Sequence, residues 1–344
     1  MYSYEEVREL HLEITEKCQA GCAMCARTDD SGTFNRHLKN SELTLDQCST
    51  IFESKFIDQL DEMYMCGNFG DPIMARDTLE TFEYFRDNNF KMRLKMYTNG
   101  GGRSQSWWKD LASVLSPGKV IFAIDGLEDT NHVYRAGVRG DRVMTSAEAF
   151  IGAGGHADWH FLVFGHNEHQ VEDARALSKK MGFKTFQPKK TTRFDSKVKA
   201  YSHLSMPMKK EYINDKVFFL KGVDEKYGSY DRYLDQVEIS CMVSQSKSIY
   251  VSADGLVFPC CWMGHEPFAN QIASSKSSQF SRMIGGIDVI DAKVHGLRGV
   301  FDSGVFDMVE ESWSLNSTTE GKLKICAKTC AKAQNFFKNQ YELT

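Results

Sequence analysis

The chain has 344 residues, 42% of them hydrophobic, with 42 Lys and Arg set against 46 Asp and Glu for a formal net charge of -4. That balance gives no global pull toward nucleic acid or an anionic membrane, and Lys184, Lys189, Lys190 and Arg193 read as a solvated basic face, so nucleic acid is not an expected partner. No apolar run approaches the ~18 residues of a membrane span, and Glu5, Glu6, Arg8 and Glu9 leave no signal-like start, so a cytoplasmic protein away from membranes is expected.

In chain order, ELHLEIT (Glu9–Thr15) alternates at period two and reads as a strand. EMYMC (Glu62–Cys66), RLKMYT (Arg93–Thr98), KVIFAID (Lys119–Asp125), WHFLVF (Trp159–Phe164) and KTFQP (Lys184–Pro188) repeat the pattern. Helical periodicity falls between them, over Thr44–Ile57, Arg76–Asn88, Gln105–Leu115, Met144–Ile151 and His169–Met181. Six strand–helix units predict parallel β-structure covered by helices, as a partial TIM-like barrel. Residues 1–190 are read as this core, and 191–236 as a linker or barrel-completing segment. Residues 237–344 are read as a small cysteine-rich α+β domain, with a hairpin in SIYVSADGLVFPCCWMG (Ser248–Gly264) and short helical segments over Phe280–Met283 and Val289–Leu297.

In such folds chemistry gathers at the carboxyl ends of the strands. Cys18 lies just past the first strand, GNFGDP (Gly67–Pro72) past the second, and Asn99–Gly102 past the third. Asp125 ends the fourth.

Ten cysteines are many for a reducing compartment, where close thiols more often hold metal or do chemistry than pair as disulfides. Cys18, Cys22 and Cys25 are spaced C-x3-C-x2-C, and Cys241, Cys260, Cys326 and Cys330 lie near the end. From spacing alone the first trio suits either zinc or an iron–sulfur cluster, and the late quartet suits both equally. Cys48 reads as core. Cys66 reads as a strand cysteine at the active end, able to meet substrate or donate a hydrogen.

The C-x3-C-x2-C loop after a first strand resembles the signature of the radical SAM superfamily. The resemblance covers roughly Glu9 to Pro188 and implies that Cys18, Cys22 and Cys25 hold three irons of a [4Fe-4S] cluster. The fourth iron is then left for S-adenosyl-L-methionine, and a 5′-deoxyadenosyl radical abstracts a substrate hydrogen. On the same resemblance Gly67, Asn68, Gly70 and Asp71 match a loop that contacts the methionine amino group. Asp71 stands where glutamate is usual, and Ala123 where serine is common. Thr98, Asn99 and Asp125 fall at further cofactor positions, Arg135 is a candidate partner for a carboxylate, and Met24 packs near the adenine.

C-x13-G-x4-C over Cys241, Gly255 and Cys260, followed by Cys326 and Cys330, resembles the SPASM/twitch extension of that superfamily. It implies a second, fully ligated [4Fe-4S] auxiliary cluster, with Cys261 as the alternative to Cys260. The implied activity is oxidation or a related modification of a small molecule or peptide. The implied partner is an electron donor such as flavodoxin or ferredoxin. A peptide or protein maturase and a non-catalytic iron–sulfur or zinc scaffold are the alternatives.

Overall fold

The structure, a computed structural model, describes residues 1–28, 34–194, 204–269, 278–334 and 336–341. Six strands run parallel in chain order: β1 (Glu9–Leu12), β2 (Glu62–Met65), β3 (Arg93–Thr98), β4 (Gly118–Ala123), β5 (Ala157–Val163) and β6 (Thr185–Lys190). All six lie where the alternating patterns put them. The first is shorter than expected, ending at Leu12, and the sixth runs on to Lys190.

The expected hairpin forms from β7 (Ser248–Val251) and β8 (Val257–Phe258), which pair antiparallel. Its first strand also pairs parallel with β1, so it is the seventh parallel strand of the main sheet. The order is β6-β5-β4-β3-β2-β1-β7-β8, an open sheet with no pairing of β6 to β8 among the described residues.

Between the first six strands run α1 (Leu45–Ile51), α2 (Ser54–Asp58), α3 (Thr78–Asn88), α4 (Gln105–Leu115), α5 (Asn131–Tyr134), α6 (Gly140–Gly152) and α7 (Val171–Met181). The single helix expected over Thr44–Ile57 is broken into α1 and α2, because Phe52 takes non-helical dihedrals. Its ring is fully buried there against Phe56 and Phe85, at centroid distances of 6.2 and 5.5 Å. Burial of an aromatic ring outweighs one continued helical turn.

Alternation along the strands separates two faces. Leu10, Leu12, Met63, Met65, Leu94, Met96, Val120, Phe122, Trp159 and Phe161 are fully buried. On that face Phe122 packs on Trp108 of α4, Phe150 of α6 and Phe183. The other face carries polar side chains. Toward the amino ends of the strands Lys95 pairs with Glu62 at 2.5 Å and Lys119 with Asp158 at 2.7 Å. Above them a row of rings crosses the sheet: Tyr250–His11 (4.8 Å), His11–Tyr64 (4.4 Å), Tyr64–Tyr97 (6.0 Å), Tyr97–His160 (6.0 Å) and His160–Tyr341 (6.2 Å).

After β6, the stretch read as a linker with helical turns holds α8 (Lys216–Tyr227), which runs 12 residues, and α9 (Tyr230–Gln236). Then come α10 (Met242–Ser246), α11 (Cys261–Ala269), α12 (Gln279–Met283), α13 (Ala292–Asp302), α14 (Val305–Ser312), α15 (Lys324–Thr329) and α16 (Phe336–Asn339). Val223, Tyr233 and Leu234 pack with Ala327 and Ala331 in a second, smaller core. Among the described residues no helix is long and apolar enough to cross a membrane.

Phe122 joins β4 to the helix layer. Phe122→Ala should cost about 3–5 kcal/mol of unfolding free energy, read from the shift in a urea denaturation midpoint, with binding-face residues unaltered.

Candidate functional site

The loop after β1 carries Cys18, Cys22 and Cys25. Its backbone is pinned where Gly21 N–H donates to Ala136 O at 2.8 Å, and Cys25 N–H returns to Cys22 O at 3.3 Å. Met24 sits between the last two cysteines with φ 61°, a left-handed conformation uncommon for a side-chain-bearing residue. Its carbonyl accepts from Arg193 Nη1 at 3.0 Å. Donors face the sulfurs: Ala20 N–H at 3.4 Å and Asn99 Nδ2 at 3.7 Å from Cys18 Sγ, and Arg135 Nη1 at 3.9 Å from Cys22 Sγ. Burial, then the neighbouring Asp71, pushes the Cys18 thiol up to about 12.

Asp71 and Asp125 hold the donors in place. Asp71 is 5% exposed, and its carboxylate accepts from Thr98 Oγ1 (2.8 Å), Asn99 N–H (2.7 Å), Asn99 Nδ2 (2.6 Å) and Ile73 N–H (3.2 Å). Its bonds therefore fix Asn99, whose Oδ1 accepts from Gln19 Nε2 at 2.6 Å and Gly101 N–H at 2.9 Å. Asp125 accepts from Leu162 N–H at 2.6 Å and from Arg135 Nε at 2.6 Å. This buried, charge-assisted pair aims the guanidinium at Cys22. The structure thus brings Cys18, Cys22, Cys25, Thr98, Asn99, Asp71, Asp125 and Arg135 together at one end of the sheet.

Gly67, Asn68 and Gly70 form the loop above β2. A Cβ at Gly70 would lie 1.8 Å from Thr15 O, so only glycine permits this approach to the end of β1. Asn68 turns its amide to Cys261 O at 2.8 Å. Cys66 precedes the loop, its carbonyl hydrogen-bonded to His11 Nε2 at 2.6 Å, and burial pushes its thiol up to about 12.

The late cysteines separate into two environments. Cys241, Cys260, Cys326 and Cys330 line one small cavity of about 30 Å³ with Met1, Val309 and Trp313. The hydrogen bond between Cys330 and Cys241 lowers the Cys241 thiol and raises that of Cys330. Burial pushes the Cys261 thiol well up, helped by Cys260, Cys66 and Glu13. Among the described residues no group of three or more His, Cys, Asp or Glu side chains closes on a point that would hold a single metal ion. His160, His166 and His169 form no such group either. Cys48 is fully buried in the helix layer, as its pattern suggested.

Two residues that sequence reasoning passed over hold the site together. Glu13 is 2% exposed; its Oε1 accepts from Phe69 N–H (2.7 Å) and Gly70 N–H (3.0 Å), and its Oε2 accepts from the Tyr250 hydroxyl. Gln19 joins the cysteine loop to Asn99. A signal for Glu13 was present: in ELHLEIT the polar positions 9, 11 and 13 share one strand face, opposite Leu10, Leu12 and Ile14.

Neither a family model nor a curated protein matches this chain. Solved structures do match. Native anSMEcpe with bound AdoMet aligns over 97% of this chain and 94% of its own, at 15% identity and a TM-score of 0.54. SuiB of Streptococcus suis bound to S-adenosylmethionine aligns over 75% of this chain, at 13% identity and a TM-score of 0.50. This chain covers 61% of the length of SuiB. The likeness is one of fold: an α/β architecture shared with chains solved with S-adenosylmethionine bound.

Burial pushes the Glu13 carboxyl from its ordinary 4.5 up to about 7, against the bonds from Tyr250, Phe69 and Gly70 that favour the charged form. A carboxyl with a higher pKa folded than unfolded stabilises most below its unfolded value. That contribution is lost as pH rises to the folded value. At about 1.4 kcal/mol per pH unit the loss is about 3 kcal/mol. Between about pH 4.5 and about pH 8, the wild type should therefore lose about 3 kcal/mol relative to Glu13→Gln in urea unfolding; parallel stability curves would show that Glu13 does not titrate in this range.

Proposed function

We propose that this protein is a radical S-adenosylmethionine enzyme that removes a hydrogen atom from a small molecule or peptide, with net oxidation or a related modification. The observation that carries the reading is the cysteine loop itself: three thiols on one loop at the carboxyl end of a parallel sheet, with Ala20, Asn99 and Arg135 turned to the sulfurs. Hydrogen bonds and positive charge toward sulfur favour thiolates and tune a cluster they hold. The residues present therefore fit a [4Fe-4S] group on Cys18, Cys22 and Cys25. A cluster takes one thiolate per iron, so its ligands need not meet at a point as those of a single ion must.

When bound, the cluster and S-adenosylmethionine supply a 5′-deoxyadenosyl radical that takes the substrate hydrogen. The protein's part is to bind, orient and exclude water. Gly67, Asn68 and Gly70 give a loop that lies close to the end of β1. Thr98, Asn99 and Asp71 form a rigid polar shelf beside Cys18. Asp125 holds Arg135 as one local cation, beside Arg193, and Met24 offers an apolar side chain. Cys66, at the head of β2, is in reach of a substrate lying over the ring row.

Cys241, Cys260, Cys326 and Cys330 are proposed to hold a second, closed [4Fe-4S] cluster. The cavity favours Cys260 over Cys261, since Cys260 is the one that lines it with the other three. A small carrier such as flavodoxin or ferredoxin would bring the electron. A peptide substrate is supported by anSMEcpe, which was also solved with a peptide beside AdoMet.

Anaerobic reconstitution should give about eight irons per chain, and reduction with S-adenosylmethionine should release 5′-deoxyadenosine. Alanine at Cys18, Cys22 and Cys25 together should abolish release, while Cys326→Ala with Cys330→Ala should retain part of it. Equal release from the triple variant would end this reading, and a zinc-only preparation that stays folded would count against it.

A further inference from the structure

The loop Gly67–Gly70 is gripped from both thiol groups at once. On one side stands Glu13, five residues before Cys18, which accepts the N–H groups of Phe69 and Gly70 at 2.7 and 3.0 Å. Gly70 is also pressed against Thr15 O, where a Cβ would lie at 1.8 Å. On the other side stands α11, which begins at Cys261, directly after Cys260. Its first carbonyl accepts from Asn68 Nδ2 at 2.8 Å. One turn on, the His265 ring stacks on Phe69 at 5.5 Å and 6°.

Tyr250 of β7 closes the circuit. Its hydroxyl donates to Glu13, and its ring meets α11 so closely that a Cβ at Gly264 would lie 2.2 Å from it. Asn68, Phe69 and Gly70 each contact one or both sides, so a shift of α11 cannot be absorbed within the loop. Close-packed contacts of this kind pass displacement on rather than damping it.

We infer that this loop couples the two thiol groups, so that filling the Cys241, Cys260, Cys326 and Cys330 group strengthens binding of S-adenosylmethionine beside Cys18. Ligation of Cys260 fixes where α11 begins. The start of α11 fixes Asn68 and Phe69, and these fix the loop that the proposed function assigns to the cofactor. The inference rests on that assignment. Coupling of this kind is reciprocal: S-adenosylmethionine should in turn tighten metal retention by the late cysteines.

The test is equilibrium dialysis of radiolabelled S-adenosylmethionine against the full, anaerobically reconstituted chain, with iron counted in every sample. Cys326→Ser with Cys330→Ser should keep about four irons and bind S-adenosylmethionine about fivefold or more weakly. His265→Ala should weaken binding in the intact background and add nothing in the cysteine-variant background. Unchanged affinity in the cysteine variant, or effects that simply multiply, would overturn the coupling while leaving the proposed function standing. If the cysteine variant does not fold, His265→Ala alone decides: weaker binding with full iron supports the coupling, and unchanged binding overturns it. A wild type with about eight irons that binds no S-adenosylmethionine removes both the functional assignment and the coupling.

Discussion

A buried carboxylate has to be satisfied, and at the carboxyl end of a parallel sheet many of the donors within reach belong to the strand-end loops. Glu13, Asp71 and Asp125 are each 5% exposed or less, and all three accept main-chain N–H groups there. Glu13 binds the loop above β2, Asp71 the turn after β3, and Asp125 the end of β5. Loops that would otherwise be the most adaptable part of the fold are thereby tied down by hydrogen bonds to carboxylates. The cysteine loop then finds its donors already aimed.

The arrangement also divides labour along each strand. The helix-facing side is apolar and carries the fold. The opposite side is layered: ion pairs toward the amino ends, a row of Tyr and His rings above them, and the donor-rich shelf at the top. Burial keeps His11 and His160 neutral, lowering them to about 4 and about 3. The middle layer therefore contributes flat, uncharged surface rather than positive charge.

The second group of thiols is tied to the first by more than chain connectivity. Because β7 lies beside β1, the segment carrying Cys260 and α11 arrives directly over the loop after β2. That placement gives Tyr250 its contact with Glu13 and gives Asn68 a partner outside its own loop. Were the hairpin a detached unit, none of these bonds would exist.

Much of the fold was legible in the chain alone. Period-two alternation located the six strands because their two faces meet different surroundings, helices on one side and a polar interior on the other. Spacing drew attention to the three early cysteines because they sit on one short loop, whereas the late four are spread over the last third of the chain and only the fold gathers them around one cavity. Other features were settled only by tertiary contacts. The break at Phe52 arises from ring packing against Phe56 and Phe85, which no local propensity encodes. The oxygens of Asp71 meet Thr98 and Asn99, residues 27 and 28 positions away. Glu13 is joined to Tyr250 across 237 positions of chain. Periodicity and motif spacing are local properties and the sequence determines them directly. Which buried charge meets which donor depends on strand order in the sheet, and that only the folded chain decides.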